Sequence, residues 1–344
     1  MLDRRTFARL FSLAAAAAAI PPRLNAAPAS RKLLKPKRLQ EGDTVGMVLP
    51  ASAVWEADNI ALAREQLEAL GFKVVLGRHV FDRHGYFAGT DQDRAADVNR
   101  MFADDSIDGI FCYTGGWGSP RILPLIDYAL IARKPKVIVG FSDITALLNA
   151  IYQRTGLVTF HGPVAAVNFE PYTLEHFRRV VMTAEPAGLL NPPDKRAVEV
   201  IDRNNRILRL APGKASGPLV GGNLTMVASL MGTPFEIDTR GALLFAEDVN
   251  EEIYRVDRML TQLALAGKFE QMAGLAFGRC SRCNMEGRTF SLEDILRHHF
   301  GGGKPAISGL SFGHIEQKMT FPIGITATLD ADGGTLSLDE AAVV

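Results

Sequence analysis

The sequence predicts an α/β protein, with an N-terminal parallel sheet flanked by helices and a smaller C-terminal domain of mixed α/β character. Three observations carry that prediction. Short apolar runs alternate with segments of helical period through the first half of the chain, the pattern of successive β-α-β units. One such unit, Lys136 to Tyr152, passes from strand to helix with no loop between them. Between about Pro186 and Ser216, prolines and charges replace the helical period, which marks a linker into a second domain.

The first strand is expected at Thr44 to Leu49, and the first helix at Trp55 to Leu70, where Ile60, Ala63, Leu67 and Leu70 share one face. A strand at Lys73 to Leu76, a helix around Gln92 to Phe102 and a strand at Ile107 to Tyr113 follow. Next come the loop Gly115-Gly116-Trp117-Gly118, a helix over Arg121 to Ile131, the central strand, and a strand near Val158 to His161. The N-terminal domain therefore covers residues 40–185 and the linker 186–216. In and beyond the linker, Val198 to Ile201, Arg206 to Leu210 and Pro218 to Val220 read as strands. Gly221-Gly222-Asn223-Leu224 opens a short apolar helix, and Ala242 to Phe245 is a buried strand ending at Glu247-Asp248. Tyr254 to Ala266 is a helix, and strands at Gly274 to Phe277, Ile325 to Leu329 and Thr335 to Leu338 complete the C-terminal domain, residues 217–344.

Residues 1–29 stand apart from the fold. Asp3-Arg4-Arg5-Thr6-Phe7-Ala8-Arg9 resembles a twin-arginine export motif, followed by the apolar run Leu10 to Ile20, a Pro-Pro break and small residues from Ala26 to Ala29. The apolar run is too short to span a bilayer. The expectation is an exported, periplasmic protein whose mature form has no membrane span, the other reading of this segment being an uncleaved anchor. A composition of 47% apolar and 22% charged residues suits a soluble globular protein, and the formal charge of zero offers no basic surplus for nucleic acid. Three cysteines, Cys112, Cys280 and Cys283, are too few for a disulfide scaffold, and the lone Cys280-Ser281-Arg282-Cys283 lacks the second pair of a zinc site. No metal or other cofactor is expected, and for this pair incidental thiols or a local disulfide are favoured over a metal or redox role.

The chemistry centres on Lys136 to Tyr152. Val137, Ile138 and Val139 form a buried-strand run, while Ile144, Leu147, Leu148 and Ile151 repeat at helical spacing, so Ser142 falls on the turn between them. A serine there meets the free N–H groups of a helix start, as in a nucleophile elbow, and Gly140 is expected to tolerate the sharp backbone. The G-x-S-x-G pattern is incomplete, with Ile144 at the second glycine, and Ser-Asp is also an ordinary helix N-cap pair. A serine nucleophile needs a base and usually a carboxylate to orient it. Of seven histidines, His176, His298 and His299 read as solvated, His79 and His84 as structural or cleft-lining, and His161 as a satisfied turn histidine. His314, in a glycine- and proline-punctuated loop, is the candidate base. Glu247, at a strand end, is the candidate carboxylate, its other reading being an ion pair with Arg255 or Arg258. The Gly115 to Gly118 loop lacks a phosphate-binding pattern and better serves to present N–H groups of Gly116 or Trp117, with that of Asp143, to an oxyanion. Ser119 is a weaker rival to Ser142, because Pro120 after it has no N–H to donate.

These residues together resemble the LD-carboxypeptidase family of serine peptidases, which includes the microcin C self-immunity peptidases. The resemblance runs over essentially the whole chain after the leader. Its landmarks are Gly115-Gly116-Trp117-Gly118, Gly140-Phe141-Ser142-Asp143, His161-Gly162-Pro163, Gly221-Gly222-Asn223-Leu224, Glu247-Asp248 with Tyr254 and Asp257-Arg258, and Gly313-His314 with Pro322 and Gly324. The resemblance implies a triad of Ser142, His314 and Glu247, oxyanion N–H groups from Asp143 and the glycine loop, a homodimer, and no metal. It implies removal of the terminal D-alanine of murein tetrapeptides, with hydrolysis of peptide-nucleotide conjugates as the alternative activity; the exported two-domain organisation also fits a periplasmic protein that binds a muropeptide without cutting it. Thr114 and Trp117 depart from the arginine and tyrosine that members often carry around the Gly-Gly pair.

Overall fold

The apolar runs of the first half become five strands: β1 (Thr44–Val48), β2 (Lys73–Leu76), β3 (Gly109–Cys112), β4 (Val137–Gly140) and β5 (Thr159–His161). In the second half lie β6 (Gly188–Leu189), β7 (Leu208–Ala211), β8 (Lys214–Asn223), β9 (Leu243–Val249) and β10 (Gly274–Ser281). They are followed by β11 (Ala306–Ser308), β12 (Phe321–Ile323), β13 (Thr326–Asp330) and β14 (Thr335–Leu338). This computed structural model describes residues 32–190, 206–284, 287 and 289–344. The export motif and the strand expected at Val198 to Ile201 lie outside the described residues.

The strands form two sheets, of order β12-β5-β4-β3-β1-β2 and β6-β14-β13-β8-β9-β10-β11-β7. In the first, β1 to β5 run parallel, and β3 and β4 are buried along their whole length, as expected of a sheet covered on both faces. The second is mixed: β8, β9, β10 and β11 are parallel, with antiparallel β13, β14 and β7 toward its edges. One strand crosses between the halves of the chain. β12 comes from near the C-terminus yet pairs antiparallel with β5, Phe321 opposite His161.

The helices follow the predicted positions with local corrections. Thr90 opens the helix Asp91–Ala103 with a reciprocal capping box to Asp93. The single helix expected at Arg121 to Ile131 is instead broken into Ser119–Ile122, a 3-10 turn at Leu123–Leu125 and Tyr128–Arg133. Pro124 lacks the N–H that a continuous helix needs, and the Asp127 side chain restarts the helix by capping the Leu130 N–H. His176 is buried rather than solvated, its ring 4.4 Å from that of Tyr172. His299 is largely covered and bonds Asp257 (2.8 Å), while His298 is exposed.

Candidate active site

The elbow sits where β4 ends. Gly140 has an ordinary φ, and it is Ser142 itself that adopts the left-handed conformation, at φ 63°. The expectation that Gly140 supplies the tight backbone is therefore corrected. Gly140 serves close packing: a Cβ there would lie 2.6 Å from Ile144 Cγ2. Ile144 occupies the place of the second glycine because Gly140 leaves room for its side chain. A 3-10 turn, Ser142–Ile144, leads directly into the helix Thr145–Thr155, and Ile144, Leu147, Leu148 and Ile151 are fully buried as their spacing predicts. Ser119, the rival nucleophile, is a brace: its N–H donates to Asp143 Oδ2 (2.7 Å) and its hydroxyl to the Asp143 carbonyl. Burial pushes the Asp143 carboxyl above its ordinary range, against the opposing pull of these bonds.

His314 reaches the serine from the connection between β11 of one sheet and β12 of the other. Ser142 Oγ lies 2.9 Å from His314 Nε2, and His314 Nδ1 lies 2.8 Å from Glu247 Oε2. A carboxylate only accepts, so Nδ1 carries the hydrogen and Nε2 is left to accept from the serine. Glu247 is 0% exposed and lies inside β9, not beyond its end. It pairs with neither Arg255 nor Arg258, both of which lie over the Tyr254 ring. Gly313 makes the approach possible, since a Cβ there would stand 2.5 Å from Glu247 Oε2.

The glycine loop closes the other side of the serine. A methyl group at Gly115 would be 3.1 Å from both the Asp143 nitrogen and Ser142 Oγ, so the glycine leaves open the space in which an oxyanion on attacked carbonyl carbon would form. The Asp143 N–H has no partner among the described residues. The Trp117 N–H donates to Ser52 Oγ (3.0 Å), which leaves the Gly116 N–H as the second candidate donor. The Trp117 indole is 65% exposed and stands edge-on to Tyr86 at the mouth of the loop. Burial pushes the Cys112 thiol up, and Cys280 and Cys283 are joined in a disulfide.

Three residues were missed as parts of this site. Asn223 donates through Nδ2 to Glu247 Oε1 (3.3 Å) and Asp248 Oδ1 (3.0 Å), while its Oδ1 caps the Met226 N–H. Its place in the sequence as a helix-opening residue was the available signal. His161 is not a satisfied turn histidine. It ends β5, 2% exposed among the rings of Phe141, Phe245 and Phe312, with neither ring nitrogen hydrogen-bonded among the described residues. Lys318, four residues after His314, is buried with its ammonium 4.8 Å from the Phe141 ring centroid.

His161 gives the fold an acid dependence. Burial lowers its pKa to about 4, against the raising influence of Glu247. An unfolded histidine titrates near 6.5, so the unfolded chain binds a proton there that the folded chain refuses. The stability involved is fully present above pH 6.5 and is lost as the pH falls toward 4, a loss of about 3 kcal/mol. His161→Leu is expected to remove that part of the acid slope, measured by urea unfolding at pH 7, 5 and 4. An unchanged slope in the variant would refute the assignment.

A serine on a strand-to-helix elbow, bonded to a histidine that is bonded to a buried glutamate, beside an open N–H cradle, defines the class: a serine-type hydrolase. Residues 45–162 match the LD-carboxypeptidase N-terminal domain, and residues 216–329 the LD-carboxypeptidase C-terminal domain. The chain is 41% identical over 305 residues to a probable murein peptide carboxypeptidase of Bacillus subtilis, covering 86% of this chain and 91% of that one. It is 33% identical over 296 residues to a murein tetrapeptide carboxypeptidase of Pseudomonas aeruginosa, with 84% and 93% covered. The fold superposes on the microcin C7 self-immunity protein MccF in its apo state with a TM-score of 0.83 at 28% identity, covering 90% of this chain and all of that one. The chain belongs to the LD-carboxypeptidase family and is a peptidase.

Proposed function

We propose that the protein removes the terminal D-alanine from murein tetrapeptide stems, cutting an L,D bond through an acyl-enzyme. The observation that carries this reading is the unbroken Ser142–His314–Glu247 chain facing the space left by Gly115. His314 Nε2 takes the Ser142 proton as Oγ attacks the carbonyl carbon before D-alanine, and Glu247 holds the resulting imidazolium. The Asp143 N–H, with that of Gly116, receives the oxyanion. His314 then returns the proton to the leaving amine, and water enters by the reverse path to release tripeptide.

Two of the relatives above bear murein peptidase names, and that supports the substrate class. Hydrolysis of a peptide-nucleotide conjugate is the second reading, supported by the fold similarity to MccF. The leader in residues 1–29 supports a periplasmic enzyme delivered by the twin-arginine route, and the family resemblance supports a homodimer. Among the described residues no helix is long and apolar enough to cross a membrane. Incubating the purified protein with murein tetrapeptide is expected to yield tripeptide and free D-alanine, followed by mass spectrometry. Intact tetrapeptide beside a cleaved aminoacyl sulfamoyl nucleoside would instead establish the second reading.

A further inference from the structure

Among the described residues three lysines are buried: Lys136, Lys268 and Lys318. Two are matched in the ordinary way. Lys136 donates to the carbonyls of Met101 and Asp104, and Lys268 to the Ile237 carbonyl and Glu236. Lys318 is 5% exposed, yet its ammonium makes no hydrogen bond or ion pair among the described residues. Its stem is buried while the chain offers the ammonium no hydrogen-bond acceptor among the described residues, which leaves the charge to water or to a ligand from outside the chain.

Its neighbours leave it no internal partner. Glu247, the first carboxylate acting on it, is committed to His314 and Asn223, and Glu170, the second, to Tyr172 and Thr173. The lysine's main chain is clamped by its N–H to Thr173 Oγ1 (3.0 Å) and by the next residue, Met319, to the Ser311 carbonyl (2.7 Å). The ammonium rests over the face of Phe141, the residue before Ser142, and the Phe141 ring lies 4.9 Å from the His314 imidazole. Phe141 thus lies in contact with both the ammonium and the catalytic imidazole, one residue before the reacting serine. The arginines around the glycine loop are already engaged: Arg94 with the Pro50 and Gly118 carbonyls and Asp91, Arg121 with Asp91.

A carboxypeptidase must distinguish a chain end from a chain interior, and the only difference is a free carboxylate next to the scissile bond. We propose that Lys318 is the specificity residue that receives the terminal carboxylate of the substrate. The assignment rests on the carboxypeptidase reading above. Burial holds the lysine near pH 8, so at neutral pH it is an ammonium with little water of its own, and a carboxylate replaces what burial removed.

The test compares murein tetrapeptide with the same peptide ending in a carboxamide. Binding to the Ser142→Ala variant is expected to favour the free acid by about ten- to a hundredfold. Lys318→Met, which keeps the stem without the charge, is expected to abolish that preference in binding and to raise KM for the acid with kcat much less affected. Lys318→Gln serves as a second variant should the first be poorly folded, with the same loss of preference expected. Retention of the preference in both variants would overturn the assignment. Equal losses of kcat on acid and amide would also overturn it, since Lys318 would then act by positioning Glu247 and His314. Absence of binding of either peptide to Ser142→Ala would sink the murein reading itself, whereas equal binding of both would overturn only the role of Lys318.

Discussion

Glu247→Gln is expected to lower kcat by about 10³- to 10⁴-fold with the fold retained. The size of the effect follows from Asn223. Its Oδ1 is held by the Met226 N–H, so its Nδ2 must point at Glu247 Oε1. A glutamine at 247 therefore turns its oxygen toward Asn223 and its NH₂ toward His314. That NH₂ donates to Nδ1, which moves the imidazole hydrogen to Nε2, where it meets the Ser142 hydroxyl as a second donor. The base is then unable to accept the serine proton. Steady-state kinetics on murein tetrapeptide check this, and a loss of less than tenfold would show that Glu247 does not set the tautomer. Turning Asn223 into an apolar residue frees the glutamine to rotate, so Glu247→Gln combined with Asn223→Leu should recover part of the lost kcat.

Ser142→Gly and Ser142→Ala are both expected to lose about 10⁴-fold or more in kcat, since each removes the nucleophile. Their stabilities should differ. Both lose the hydroxyl and its bond to His314, but only glycine adopts φ 63° without steric cost. The glycine variant should be more stable than the alanine variant by about 1 kcal/mol, measured by thermal or urea unfolding. Equal stabilities would mean that the elbow carries no strain. The strained backbone presents the hydroxyl to His314 Nε2, 2.9 Å away.

Local pattern was enough to recover much of the architecture. The strands β2 and β14 fall where their apolar runs end, and the elbow helix buries the four residues whose spacing defined it. A buried parallel strand and an amphipathic helix are properties of a few consecutive residues, so they are legible there. β12 was not legible, because a three-residue edge strand containing Pro322 carries no period and gains its identity from β5 across the sheet. The broken helix at 119–133 was missed for the opposite reason: its apolar period continues through Pro124 although its hydrogen bonds do not.

The candidate site divides in the same way. By itself the sequence determined an α/β fold, a serine on a strand-to-helix turn and a set of landmarks naming Glu247 and His314. Those landmarks say nothing of distance. Only the tertiary structure decided that residues 172 and 67 positions apart in the chain lie at 2.9 and 2.8 Å. The agent of that closure is β12, which draws the His314 loop from the second sheet onto the first. Tertiary structure alone also placed the strain on Ser142 rather than Gly140, and among the described residues left His161 without a hydrogen-bonding partner and gave the Lys318 ammonium no acceptor beside Phe141. Burial and pairing depend on what the rest of the chain brings to a residue, and no local period records it.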